Sequence, residues 1–181
     1  MSNHYEARFS AVGGQGILLA GDILASAAIN YEGKFACDSP TYTAQVRGGP
    51  TKVDVIIDSE KILFPRTTAI DFMLCLAQRS WDQFAQDLKP DCIVLIDPSL
   101  VKNVDESYRV YRMPILEITK TNMKKMVYTS AVALGAMIGL TEVISVESAR
   151  KGLLAKAPKG TEQPNEIAFN LGYEAAKELL K

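Results

Sequence analysis

Apolar and polar positions alternate along this chain in two rhythms, and their order sets the expected fold. Ala7 to Val12 (ARFSAV) is a short strand-like segment that runs into Gly13-Gly14-Gln15-Gly16. From Ile17 to Tyr31 the positions Ile17, Ala20, Leu24, Ala27, Ala28 and Tyr31 recur at the three-to-four spacing of an amphipathic helix, which Gly33 ends. Lys34 to Asp38 predicts a second strand and Thr51 to Asp58 a third, with an irregular segment from Ser39-Pro40 through Pro50 between them. Phe72 to Ala77 (FMLCLA) and Cys92 to Asp97 (CIVLID) are unbroken apolar runs, the pattern of strands covered on both faces. An amphipathic helix, Arg79 to Leu88, separates them, and Tyr108 to Arg112 predicts an edge strand bent away at Pro114.

From Asn122 the rhythm is helical: Asn122 to Leu140, Val146 to Lys156, and Asn165 to Leu180, with a polar hinge at Pro158-Lys159-Gly160. Strands alternating with helices predict an α/β fold: a three-layer Rossmann-like domain, mostly parallel sheet with helices on both faces, and a helical C-terminal tail over one face. The tight Asp58-Ser59-Glu60-Lys61 link leaves room for one antiparallel hairpin. A chain of 181 residues is expected to form a single domain, 1–181. Val127 to Leu140 carries no charge but is shorter than the roughly 20 residues of a membrane span, so it reads as a buried helix and no membrane is expected. Such a helix, apolar on nearly all sides, needs more cover than one sheet face gives, which points to association with other chains.

Composition narrows the chemistry. A net charge of −1 supplies no field for steering a polyanion, which argues against nucleic acid as a partner. Residues 1–6 lack a basic region followed by an apolar core, so no signal peptide is expected and the chain reads as cytoplasmic. Cys37, Cys75 and Cys92 are widely spaced in or beside apolar runs, which suits reduced buried thiols rather than a disulfide framework or a zinc or iron–sulfur ligand set. No metal is implied. His4 is the single histidine and lies in the terminal tail, so no internal Ser-His-Asp or Cys-His system can be assembled, and no catalytic residue is assigned. Asp58, Asp71 and Asp97 stand at or beside strand ends, where they are expected to order turns or cap helices.

Two segments carry candidate binding chemistry. At Gly13, Gly14, Gln15 and Gly16 a strand feeds a helix through residues mostly without Cβ, which lets backbone N–H groups approach an anion such as phosphate or pyrophosphate. The dinucleotide fingerprint is half met: Gly14 and Gly16 fit its first two places, the third falls on Leu19, and Asp38 ends the second strand where a ribose-binding carboxylate would sit. The same glycines would equally serve a tight turn with no ligand. In the second segment, Thr41 to Gly49, Arg47 offers a planar bidentate donor beside Gly48-Gly49. Loops after adjacent parallel strands emerge at one sheet edge, so Arg47 is expected to face the glycine turn. Taken alone, Arg47 reads as a structural ion pair.

These residues resemble the gamma subunit, or its fused-domain equivalent, of the 2-oxoacid:ferredoxin (acceptor) oxidoreductases, and the resemblance covers nearly the whole chain. Ala11 to Ile17, followed by Ala20 and Leu24-Ala25, is similar to the family's GGQG opening. Arg47-Gly48-Gly49 is similar to its second motif, and Ala133 to Ala136 and Asn165 to Tyr173 are similar to its helical tail. The Thr41-Tyr42 lead-in resembles the 2-oxoglutarate branch, although Thr43-Ala44-Gln45 stands where that branch commonly has Gly-Pro-Glu.

The resemblance implies a multi-subunit enzyme that decarboxylates a 2-oxoacid on thiamine diphosphate, passes electrons through iron–sulfur clusters to ferredoxin and releases acyl-coenzyme A. It further implies that thiamine diphosphate, magnesium and clusters belong to partner subunits, alpha/beta and a ferredoxin-like delta. This chain, inactive alone and without a tightly bound cofactor, would contribute assembly and coenzyme A contact through Gly13, Gly14, Gln15, Gly16, Tyr42, Arg47, Gly48 and Gly49. The rival readings are a stand-alone nicotinamide- or flavin-binding oxidoreductase and a non-catalytic scaffold.

Overall fold

The computed structural model describes residues 4–13, 16–41 and 48–181. Six strands, β1 (Tyr5–Val12), β2 (Phe35–Thr41), β3 (Pro50–Asp58), β4 (Ile70–Cys75), β5 (Leu88–Ile96) and β6 (Arg109–Arg112), form one sheet in the order β2-β3-β1-β4-β5-β6. The helices are α1 (Ile17–Glu32), α2 (Gln78–Phe84), α3 (Ile115–Met123), α4 (Thr129–Thr141), α5 (Val146–Lys156) and α6 (Glu162–Glu178). β1, β4, β5 and β6 pair in parallel, whereas β3 is antiparallel to both neighbours. The antiparallel hairpin is therefore β2–β3, and not a turn at Asp58 to Lys61. That link instead leads past β1 to β4, with Asp58 accepting the Glu60 amide at 3.0 Å.

Strand β1 shows why the sheet has two unlike faces. Successive side chains point to opposite sides, so Ala7, Phe9 and Ala11 enter the larger apolar core, while Glu6, Arg8 and Ser10 line the other face, where they too are buried. The larger core gathers Phe9, Val53, Val55, Phe72, Leu74 and Leu95 beneath α1, α4 and the other C-terminal helices. Across the sheet α2 stands alone, packing Trp81 and Phe84 on Met73, Cys75, Val94 and Ile96. Helices thus cover both faces unequally, and β4 and β5 are buried on both sides, as their unbroken apolar runs require. Tyr31, expected on the buried face of α1, is instead 43% exposed.

Every residue of α4 from Thr129 to Leu140 is buried. Its outer side is covered by α6, which approaches so closely that a Cβ on Gly135 would collide with the Phe169 carbonyl and one on Gly172 with the Val132 carbonyl. The cover comes from within the chain, so α4 leaves no surplus apolar face and gives no support to association. Among the described residues no helix is long and apolar enough to cross a membrane. The helix expected over Asn122 to Leu140 is divided: α3 ends at Met123 and α4 begins at Thr129, while α3 itself starts earlier, at Ile115, where Asp97 just past β5 accepts the Leu116 amide at 2.9 Å.

All three cysteines are free; Cys75 and Cys92 are buried and Cys37 half-buried. Burial pushes the Cys92 thiol up to about 12 and raises those of Cys75 and Cys37 above their ordinary value.

His4 ties the start of β1 to the end of β3, with Nε2 3.0 Å from Glu6 and Nδ1 2.6 Å from Asp58. The Glu6 hydrogen bond raises its pKa above 6.5, against the opposing effect of burial and with help from Asp58. A group whose folded pKa is raised stabilises fully below its unfolded value and loses that contribution as pH rises through the folded one. Thermal melting of the wild type should therefore fall modestly as pH climbs from about 6.5 through the raised His4 value. In His4→Gln this part of the pH dependence should disappear, and an unchanged profile would remove His4 as its source.

Candidate functional site

The C-terminal end of β1 is held by α2 and the strand beside it. Ser80 Oγ donates to the Ala11 carbonyl at 2.6 Å, and the Leu76 amide donates to the Ser10 carbonyl at 2.9 Å. Beyond Val12, which lies in register with Pro50, the Gly13 amide donates to the Gly49 carbonyl at 3.0 Å. A Cβ at Gly13 would lie 3.4 Å from the Gly48 nitrogen, so the two glycine segments are in van der Waals contact. Gly16 at φ 69° and Gly48 at φ 74° occupy the left-handed region that glycine enters without steric cost.

Gly16 is the N-cap of α1, which has no side-chain cap and no acidic residue in its first turn. The Leu19 amide donates to the Gly16 carbonyl at 3.2 Å, and among the described residues no carboxylate answers the helix's N-terminal dipole. The arrangement can accept an anion at its amides. Beside it, Leu19, Ile23, Val127, Tyr128, Leu153 and Pro158 line an apolar cavity of about 140 Å³.

The structure thus brings Gly13 against Gly48 and Gly49, with Gly16 opening the helix that follows. The reason differs from the parallel-loop argument: β3 runs antiparallel to β1, so the segment preceding β3 meets the segment following β1. Gly14, Gln15, Tyr42 and Arg47 lie outside the described residues, as does the expected approach of Arg47 to the turn.

Asp38 does not sit where a ribose carboxylate would. It occupies the middle of the exposed edge strand β2, level through Val55 with Ala7 of β1. Five residues separate Ala7 from Val12, which puts Asp38 about 16 Å back from the turn along the strands. Antiparallel β3 also stands between β1 and β2, where a dinucleotide fold has two adjacent parallel strands.

The three strand-end aspartates are committed to structure. Asp97 accepts the Ser99 amide and hydroxyl as well as Leu116, Asp71 accepts the Glu6 amide and Lys89, and Asp58 holds Glu60 and His4. Among the described residues no cluster of three or more His, Cys, Asp or Glu could hold a metal ion.

A buried polar network on the α2 side escaped sequence reasoning. Arg8 and Asp54 are direct cross-strand partners, with Nε 2.7 Å from Oδ1 and Nη2 2.9 Å from Oδ2. Arg8 Nη1 donates to the Phe84 and Gln86 carbonyls at 2.8 and 2.9 Å, and Lys52 also pairs with Asp54. Burial works to raise the Asp54 carboxyl, but Arg8 and Lys52 outweigh it and hold the pKa below its ordinary value. The available signal was the alternation of Glu6, Arg8 and Ser10 with Ala7, Phe9 and Ala11.

Comparison with known proteins gives a consistent picture. The pyruvate ferredoxin/flavodoxin oxidoreductase family matches residues 6–175. The chain is 41% identical to the 2-oxoglutarate synthase subunit KorC of Methanocaldococcus jannaschii, over 96% of this chain and 95% of that protein. Its fold superposes with a TM-score of 0.89 on the gamma subunit of a keto/oxoacid ferredoxin oxidoreductase from Geobacter sulfurreducens, at 37% identity and covering 97% and 98% of the two chains. It also superposes, at a TM-score of 0.82 and 26% identity, on the 2-oxoglutarate:ferredoxin oxidoreductase of Magnetococcus marinus, solved with 2-oxoglutarate, coenzyme A and succinyl-CoA bound. There 97% of this chain corresponds to 31% of a longer one.

Proposed function

The chain belongs to the pyruvate ferredoxin/flavodoxin oxidoreductase family as a gamma-type subunit, and on that premise we propose that it serves a 2-oxoglutarate:ferredoxin oxidoreductase. The assembled enzyme would oxidatively decarboxylate 2-oxoglutarate to succinyl-coenzyme A and carbon dioxide and pass the electrons to ferredoxin. Partner alpha/beta and ferredoxin-like delta subunits would carry thiamine diphosphate, magnesium and iron–sulfur clusters. This chain, a single cytoplasmic domain over 1–181, would bind to them and contact coenzyme A.

The observation that carries the coenzyme A contact is the bond from the Gly13 amide to the Gly49 carbonyl, which joins the two glycine segments beside an uncapped helix N-terminus. Coenzyme A brings phosphate groups, and amides at a helix N-terminus together with a guanidinium are the donors that phosphate takes. With the Gly13 amide committed to Gly49, Gly13 would fix the turn from which Gly14, Gln15 and Gly16 offer backbone to the pyrophosphate, and Tyr42, Arg47, Gly48 and Gly49 would close the site from the opposite segment. The thiol chemistry belongs to coenzyme A, and this chain's part is to hold and orient it. A stand-alone nicotinamide enzyme fits poorly, because Asp38 is displaced from the turn and β3 intervenes.

Anaerobic purification of the tagged chain from its host tests the reading. Brown, cluster-bearing partners and a ferredoxin reduction that needs both coenzyme A and 2-oxoglutarate, in preference to pyruvate, are expected. Preference for pyruvate would overturn the substrate, and a colourless chain recovered alone would overturn the assembly.

A further inference from the structure

The apolar cavity beside the start of α1 carries two polar groups that the fold leaves unused. Its walls come from Leu19 and Ile23 of α1, Tyr128 just ahead of α4, Leu153 of α5 and Pro158 beyond it. Ser130, in the first turn of α4, is only 4% exposed and lines the cavity, yet among the described residues its hydroxyl makes no hydrogen bond. Asn165, in the first turn of α6, lines it too. Its Nδ2 donates to the Thr161 carbonyl at 2.8 Å and to the Thr161 hydroxyl at 3.1 Å, which leaves Oδ1 as an acceptor without a partner among the described residues. A buried hydroxyl without a partner is costly, and apolar walls with a few convergent polar groups are the make-up of a small-molecule site.

Size, charge and place narrow the guest. A volume of about 140 Å³ is close to the cavity of about 150 Å³ that takes one benzene ring, so a flat ring fits and a whole nucleotide does not. Lys156, the charged residue of the described lining, is held by both oxygens of Asp22 at 2.6 Å each, so no free cation is offered there to a phosphate. Leu19 and Ile23 follow the Gly16 cap along α1, which sets the cavity about 5 to 10 Å from the glycine turn.

We propose that this cavity holds the adenine ring of coenzyme A, with the Ser130 hydroxyl donating to a ring nitrogen and Asn165 Oδ1 accepting from the exocyclic amino group. Adenine presents that acceptor and that donor side by side on one edge, and its flat faces suit apolar walls. The proposal rests on the coenzyme A reading, which puts the phosphates at the glycine turn, one ribose away. Adenine is selected over the pantetheine arm because the thiol must reach a reacting centre on partner subunits. The arm therefore leaves this chain, and the nucleotide end stays.

The test measures, on the assembled enzyme, the KM for coenzyme A and the inhibition by its two fragments, adenosine bisphosphate and pantetheine. Leu19→Trp, which fills the cavity from its exposed rim, should raise that KM and the inhibition constant of adenosine bisphosphate at least about tenfold. Ser130→Ala should raise both about fivefold, the worth of one hydrogen bond. The inhibition constant of pantetheine should stay within about twofold of wild type. Ser130→Ala removes a single atom that has no partner, so it assembles even where the larger substitution does not. If both variants keep the wild-type KM for coenzyme A while Arg47→Gln raises it, the proposal is overturned and the coenzyme A reading stands. If all three leave it unchanged, both fail. Equal rises for pantetheine and adenosine bisphosphate would give the cavity to the arm and overturn the adenine assignment.

Discussion

Arg8→Met should lower the stability of the chain by about 3–5 kcal/mol, the cost of removing one partner from a buried ion pair. The guanidinium reaches both oxygens of Asp54 and two carbonyls at the end of α2, so its loss leaves Asp54 to Lys52 and Thr67 alone and takes a donor from Phe84 and Gln86. Lys52 remains beside Asp54 but cannot span to α2 as the planar fork does. Replacing both partners tests the cause, because Arg8→Met/Asp54→Leu removes the under-compensated buried carboxylate along with the pair. The double variant should recover part of the loss, whereas two independent packing defects would add. Thermal melting reads the difference: a single-variant drop of roughly 6–20 °C is expected for a chain of this size.

Gly172→Ala should be destabilising, by about 1–3 kcal/mol, although the same exchange within an exposed helix ordinarily stabilises. The sign follows from the crossing of α4 and α6. The new Cβ would occupy the position of the Val132 carbonyl, which is backbone held inside a fully buried helix and cannot step aside as a side-chain end would. Gly135 faces the Phe169 carbonyl in the reciprocal manner, so Gly135→Ala should cost a similar amount. Combining the two should cost less than their sum, since one separation of the helices relieves both collisions. A Gly172→Ala chain that melts at or above the wild-type temperature would contradict the close crossing.

Parts of the fold were legible because their causes are local. Helix α5 runs from Val146 to Lys156 as its periodicity indicated, and Ser145 caps it by accepting the Ser148 amide at 3.1 Å. The unbroken runs at Phe72 to Ala77 and Cys92 to Asp97 marked β4 and β5 through their burial on two faces. Elements fixed by distant groups were not legible. The start of α3 depends on Asp97, 19 residues earlier, and the placement of the β2–β3 hairpin depends on a strand pairing that no single segment encodes. Arg8 reads as a polar position on a half-exposed strand until Asp54 is seen opposite it.

The site divides in the same way. The glycine-rich turn announced itself through residue type, and the family resemblance marked both segments. Their junction at Gly13 and Gly49 followed from the antiparallel direction of β3, a relation of strands rather than of motifs. The α4–α6 crossing gives a physical meaning to two stretches that the resemblance had only matched, Ala133 to Ala136 and Asn165 to Tyr173, since each contributes a glycine that lets the helices touch.

The most direct measurement is the KM for coenzyme A of the purified, assembled enzyme carrying Arg47→Gln, with 2-oxoglutarate saturating and ferredoxin as acceptor. On the proposed reading Arg47 gives a phosphate one charge-assisted contact, whose removal should raise that KM about 10- to 100-fold while kcat stays within about twofold of wild type. An unchanged KM for coenzyme A in a fully assembled complex would contradict coenzyme A binding by the joined glycine segments.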